Sequence, residues 1–166
     1  MEKIEIQSLE RIMLRRGPEW TSSEINQLLP HLSNNHPIIS TKVLLEIFNN
    51  PWCSLVLLED VTQDRLAGMG LVFYQPRPEG YLAEIHSVVV HPDYRGQGLA
   101  SVLVEALIKQ VQYWAQQKNE PIPILLSAND QREKAIRLYL KHGFERISKS
   151  SRAGGTNFFR LEVTVY

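Results

Sequence analysis

The chain contains a single cysteine, Cys53, in 166 residues, which excludes an intramolecular disulfide and a paired-cysteine metal knuckle. Long apolar runs are also missing, and nothing approaches the roughly 20 residues needed to span a bilayer. The opening MEKIEIQSLERIMLRR carries charges throughout and lacks the apolar core and small-residue cleavage site of a signal peptide. A soluble, cytoplasmic protein is expected. Charge of one sign is absent too: 18 basic residues balance 18 acidic ones. That argues against nucleic acid as a partner, since its affinity rests on a basic surface, and the lack of a spanning run argues against a membrane partner. A small anionic ligand remains compatible, because it needs only a local cluster of donors. No repeat, low-complexity stretch or linker divides the chain, so residues 1–166 are expected to form one domain. No GxSxG elbow for a serine hydrolase is present.

The apolar pattern supplies the elements. Residues 4–7 alternate as an edge strand does. Thr21-Ser22-Ser23-Glu24 reads as a capping box ahead of a short amphipathic helix carrying Ile25, Leu28, Leu29 and Leu32. Ser40 or Thr41 caps a second helix with Val43, Leu44, Ile47 and Phe48, closed by Pro51. Strand-like runs follow at 54–58, 67–74 and 81–90, separated by polar turns. A long helix is predicted from 98 to about 117, with Leu99, Leu103, Ala106, Leu107, Val111 and Trp114 on one stripe. A buried strand at 122–127, a helix at 132–142 stopped by Gly143, extended chain from Phe144 and a last strand at about 158–165 complete the order. Hairpins first, then strands alternating with helices, predict a mixed α/β (α+β) sheet with helices on both faces.

One segment carries chemistry. His91-Pro92-Asp93-Tyr94-Arg95-Gly96-Gln97-Gly98-Leu99-Ala100 joins an apolar strand to an amphipathic helix. Gly96 and Gly98 remove side chains where the backbone turns, so successive N–H groups converge at a helix N-terminus. Four donors there lack intrahelical partners and the helix dipole is positive, which suits a pyrophosphate. Arg95 can add a charge-assisted bond. The spacing is neither the P-loop GxxxxGK[ST] nor the dinucleotide GxGxxG, and two glycines also serve a plain tight turn.

The pattern from Val89 to Ala100 resembles the acyl-CoA signature of the GCN5-related N-acetyltransferase (GNAT) family, R/Q-x-x-G-x-G/A, matched by Arg95, Gly98 and Ala100. Residues 137–144, with Tyr139 ahead of Gly143-Phe144, resemble the family's later helix-to-strand element. The resemblance covers a little over half the chain. It implies a GNAT-like fold with a central twisted mixed sheet, acetyl-CoA as co-substrate, and transfer of an acetyl group to the primary amine of an unidentified acceptor. It implies that the backbone of Val88, Val89 and Val90 pairs with the coenzyme's pantetheine arm, and that Arg95, Gly96, Gln97, Gly98, Leu99 and Ala100 cradle its phosphates. A homodimer is suggested by family analogy alone. The alternative within the fold is a non-catalytic acyl-CoA-binding or interaction domain.

Acetyl transfer to an amine must remove a proton from the amine and supply one to the departing thiolate. By resemblance Tyr139 is the donor, although an aromatic beside Ile136 and Leu138 also reads as helix core. Glu84 resembles the strand glutamate used as general base in histone-type members, and burial near apolar surface would raise a carboxyl pKa toward neutrality. His86, two residues on, is its rival, and ordered water serves many members. Alternation places Glu84, His86 and Val88 on one strand face. The family asparagine seven positions before the tyrosine is Arg132 here, with Asn129 three residues earlier. Either Asn129 takes that role through a longer loop or Arg132 contacts the coenzyme differently, and the resemblance alone carries the asparagine's role to neither. No metal site is expected: His86 and His91 are an odd number apart, and His31 and His36 lack carboxylate company. Cys53 reads as a small buried hydrophobe. Lys141, Arg146, Lys149 and Arg152 read as a solvated rim within reach of an outer phosphate, and residues 151–155 as a loop beside the acceptor.

Overall fold

The computed structural model describes residues 4–33, 35, 38–151 and 154–165. The first four strands, β1 (Ile4–Ser8), β2 (Cys53–Asp60), β3 (Arg65–Arg77) and β4 (Gly80–Val90), form an antiparallel run. A long helix, α4 (Leu99–Lys118), then carries the chain to β5 (Ile122–Asn129), which lies parallel to β4. The hairpin of β6 (Glu145–Ser150) and β7 (Thr156–Val163) completes a seven-stranded sheet in the order β1-β2-β3-β4-β5-β7-β6. The remaining helices are α1 (Leu9–Arg16), α2 (Pro18–Leu28), α3 (Thr41–Phe48) and α5 (Glu133–Lys141). The mixed sheet with helices on both faces is the architecture expected from the alternation of elements.

Two cores flank the sheet. On one side Leu103, Leu107 and Val111 of α4 and Ile136 of α5 pack against Val72, Ile85, Ile124 and Phe159. On the other, Leu9 and Ile12 of α1, Ile25 and Leu28 of α2 and Leu44 of α3 cover Leu57, Leu66, Met69, Leu71 and Val89. Each such side chain contributes about 1.5–3 kcal/mol by leaving water. Ser40 caps α3 as expected, accepting a bond from the Val43 amide. The capping box at 21–24 is overturned. Pro18, at the first position of α2, starts that helix earlier, after Gly17. The hydroxyls of Thr21 and Ser22 lie inside the helix and donate back to the carbonyls of Gly17 and Glu19.

The sheet has a seam. Pairing between β4 and β5 is confined to Ala83 with Ile124 and Glu84 with Leu125. The cause lies partly in β4, where register with β3 shifts from Leu71 opposite His86 to Met69 opposite Val89. Ser87 and Val88 together face Gly70, and Ser87 sits at φ +55°. A bulge of this kind bends its strand and sharpens the twist, steering β4 away from β5. It also reverses the side-chain alternation. Val88 packs with the α4-side core, whereas Val89, like Phe73 beside His86, belongs to the α1–α3 side. Val88 therefore does not share a face with Glu84 and His86, because the extra residue flips the period of two. At the closed end of the seam, Trp114 of α4 stacks on Tyr74 at 4.1 Å and 8°. Trp52 and Tyr81 border that pair, and the Lys118 ammonium lies 5.2–5.7 Å from the centroids of Trp52, Tyr81 and Trp114. Tyr74 pairs with Ala83, so this aromatic cluster stands on the strand row that still joins the two halves.

Candidate active site

Beyond Glu84, no strand among the described residues lies on the β5 side of β4, and this free edge runs directly into the glycine turn. The root of the turn is anchored. Pro92–Tyr94 makes a short 3-10 turn, and the buried Tyr94 hydroxyl donates to Asp60 at 2.8 Å. The other oxygen of Asp60 accepts the amides of Thr62 and Gln63 at 2.9 and 3.0 Å. Burial works against this carboxylate, yet these donors and the Arg65 charge hold its pKa below the ordinary value.

Past that anchor the backbone opens. Gly96 and Gly98 adopt φ of +80° and +79°, and a Cβ built on either meets no atom within 4 Å. The space such side chains would fill is the cradle. Gly98 stands at the N-cap of α4 without a side-chain cap, and the first bonds there run from Ser101 and Val102 to its carbonyl. Among the described residues, no protein group takes the amides of Gly96 to Ala100. These donors gather at the positive end of a 20-residue helix. They open into a cavity of about 750 Å³ that continues along Val88, Val89 and Val90 to Tyr139. Among the described residues lining it, Arg95, Arg132, Lys134 and Arg137 face one carboxylate, Glu133, so the site is cationic although the chain is neutral. The arrangement can hold a polyphosphate at one end and an extended polar chain along the strand edge.

The structure brings most of the expected residues together. Val88, Val89, Val90, Arg95, Gly96, Gly98, Leu99, Ala100 and Tyr139 line this one cavity. The Gln97 side chain is exposed outside it. Arg95 donates from Nε to the Val90 carbonyl at 3.2 Å, which ties strand end to cradle. Tyr139 is 7% exposed and packs against Phe144 and Phe159 with centroids 6.0 and 6.1 Å away. Burial raises its pKa, with the Arg132 charge pulling the other way, so the hydroxyl stays protonated at neutrality. Glu84 and His86 lie outside the cavity lining and meet each other at 3.3 Å. Phe73 abuts the His86 ring at 5.7 Å.

His31 enters the cavity although the sequence reading weighed it only as a metal ligand, and Arg132 enters it with a partner that reading did not foresee. His31 comes from a 3-10 turn, Leu29–His31, after α2, and its ring meets His91 edge-on at 5.1 Å. The bulge accounts for this meeting, since it turns His91 toward the α2 side despite the odd spacing from His86. Burial and then Arg65 lower the His91 pKa. Arg132 donates from Nη2 to the Leu32 carbonyl, 100 residues away in sequence, which no local pattern could indicate. Asn129 instead accepts the Gln131 amide at 3.0 Å within its own loop. Cys53 has its thiol pKa pushed up to about 11 by burial, as fits a packing residue. Of the basic rim, Lys149 pairs with Asp130 at 2.8 Å and Arg146 lies over Phe159. Arg152 and His36 lie outside the described residues. Among the described residues no cluster of three or more His, Cys, Asp or Glu could hold a metal ion, and no helix is long and apolar enough to cross a membrane.

The fold recurs among known proteins. The chain is similar in structure to an acetyltransferase of the GNAT family from Streptococcus pneumoniae, at 14% identity and TM-score 0.73 over 97% of this chain and 99% of the other. It is similar to the ribosomal-protein-S18-alanine N-acetyltransferase of Escherichia coli, at 18% identity and TM-score 0.65 over 99% and 96%. It is also similar to a Salmonella typhimurium protein solved with its cofactor acetyl-CoA, at 16% identity and TM-score 0.70 over 98% and 95%. No curated protein sequence matches the chain. Residues 20–144 match the acetyltransferase (GNAT) family, and the chain belongs to that family.

Proposed function

We propose that this protein transfers the acetyl group of acetyl-CoA to a primary amine. The observation that carries this reading is the row of unpaired amides from Gly96 to Ala100, opening into a cavity that ends at Tyr139. The bound coenzyme supplies the activated thioester. The protein's own groups do the rest. Amides of the cradle and the Arg95 guanidinium hold the phosphates. The free edge of Val88 to Val90 orients the pantetheine arm, and a backbone N–H there stabilises the oxyanion as amine attacks thioester. Tyr139, kept protonated by burial, donates to the departing thiolate, whose pKa is about 8.5 by analogy with cysteine. A lysine-like amine has a pKa of about 10.4 and must shed a proton first. We assign that proton to Glu84, whose carboxylate is hydrogen-bonded to His86 on the opposite side of β4 from Val88.

Two measurements test the reading. Purified protein should melt at a higher temperature with CoA, and should release free thiol from acetyl-CoA only when an amine acceptor is present. Stabilisation by CoA without turnover across amino sugars, polyamines, lysine side chains and peptide N-termini would favour a binding module of the same fold. Absence of any CoA-induced stabilisation would remove the coenzyme assignment.

A further inference from the structure

We propose that Arg132 is a positioning residue that straps the turn at residues 29–32 across the coenzyme cleft, holding the pantetheine arm in place by closing the protein over it. The inference rests on the reading of this cavity as an acyl-CoA site. Its geometry is this chain's own. The turn after α2 is held at two points, one just past the end of β4 and one at the head of α5. At one, the His31 ring meets His91, the residue following β4, edge-on at 5.1 Å. At the other, Arg132, at the N-cap of α5, donates from Nη2 to the carbonyl of Leu32. His31 and Arg132 both line the cavity, so the turn and the side chain that holds it border the space a ligand would fill. The phosphate cradle follows β4 in the chain and Tyr139 lies two turns into α5, and a linear ligand joining them along the strand edge shares this cavity with His31 and Arg132.

The chemistry of the bond suits a strap that opens. Arg132 is exposed, and one hydrogen bond from an exposed guanidinium to a carbonyl is weak enough to break and reform as ligand enters and leaves. Once an arm lies beneath, the guanidinium and the Leu32 carbonyl satisfy each other above it, and release requires both to be uncovered. The effect should therefore fall on dissociation more than on association, and on ligands that have an arm. Arg132 would act through the turn, not by touching phosphate.

Binding of CoA and of 3′-phospho-ADP, which keeps the pyrophosphate but lacks pantetheine, separates these roles. For Arg132→Ala the expected result is about a tenfold loss of CoA affinity, appearing mainly in the dissociation rate. Affinity for 3′-phospho-ADP should stay within about twofold, and Arg132→Lys should recover part of the loss, since an ammonium can still reach the carbonyl. In the ligand-free variant, amide exchange at Leu32 should quicken, because its bond to the Leu29 carbonyl loses support. Equal losses for both ligands would make Arg132 a phosphate contact and overturn the strap. Unchanged CoA affinity, or unchanged exchange at Leu32, would overturn it too. If the unmodified protein bound neither ligand, the reading of the cavity itself would fall, and exchange at Leu32 would still report whether the turn is pinned.

Discussion

Tyr139 and Glu84 stand on different footings at the scale of single residues. The tyrosine hydroxyl is buried in the cavity wall with its pKa raised, so it holds its proton where a thiolate would leave. Tyr139→Phe should lower turnover about 100-fold while leaving CoA affinity within about twofold, measured by thiol release and calorimetry. Turnover that survives unchanged across pH would end the assignment of Tyr139 as proton donor. Glu84 lies outside the cavity lining and shares a hydrogen bond with His86. Glu84→Gln should abolish the rising limb of the pH–rate profile; a limb that persists would transfer the role to His86 or to water. Sequence marked both residues through the family pattern alone. It could not show that Val88 faces away from Glu84 and His86, because Ser87 at φ +55° carries none of the glycine signal that usually advertises such a bulge.

Among the elements, the cradle at the head of α4 is the most exposed to test. Gly98→Ala puts a methyl group into space that no protein atom occupies, at a φ that costs a non-glycine residue about 1–2 kcal/mol. A modest fall in melting temperature should accompany a loss of CoA affinity of at least tenfold. If affinity held while stability fell, phosphate would have to bind elsewhere. The long strands and α4 were legible because their apolar residues repeat with the period of the element they form. α1 was not legible: only Leu9 and Ile12 of its eight residues are buried, too few to mark a stripe. Its arginines serve another end, with Arg15 and Arg16 both reaching the buried carboxylate of Glu59. The start of α2 was misread because Thr-Ser-Ser-Glu has capping chemistry, whereas Gly17-Pro18 already supplies a left-handed entry and a residue preset for the first helical position. The strap was invisible for a different reason. It joins two segments by one side chain and one carbonyl, and a carbonyl has no signature in sequence.

For the molecule as a whole, the Asp60–Tyr94 bond fastens the root of the cradle to the end of β2, two strands away from β4, and links stability to pH. Asp60 is fully buried and its folded pKa lies below the unfolded one. Its contribution is therefore present above the unfolded pKa and lost as pH falls through the folded value. Tyr94→Phe removes the hydroxyl donor and should cost about 1.5–3 kcal/mol near pH 7. That difference should shrink as the medium is acidified past the carboxylate range, and urea melts at pH 7 and at lower pH would show it. A difference independent of pH would mean that the charge on Asp60 is not what Tyr94 serves. The seam has a consequence of its own. Every strand on one side of it precedes α4 in the chain and every strand on the other follows, so α4 is the sole covalent tie between β4 and β5. A cut in the turn at 119–121 would leave two pieces meeting along two residue pairs and the face of α4 that packs on Ile124, Ile136 and Phe159. A ligand filling the open end would then bridge the fragments, and their reassembly would become a gauge of the concentration of that ligand.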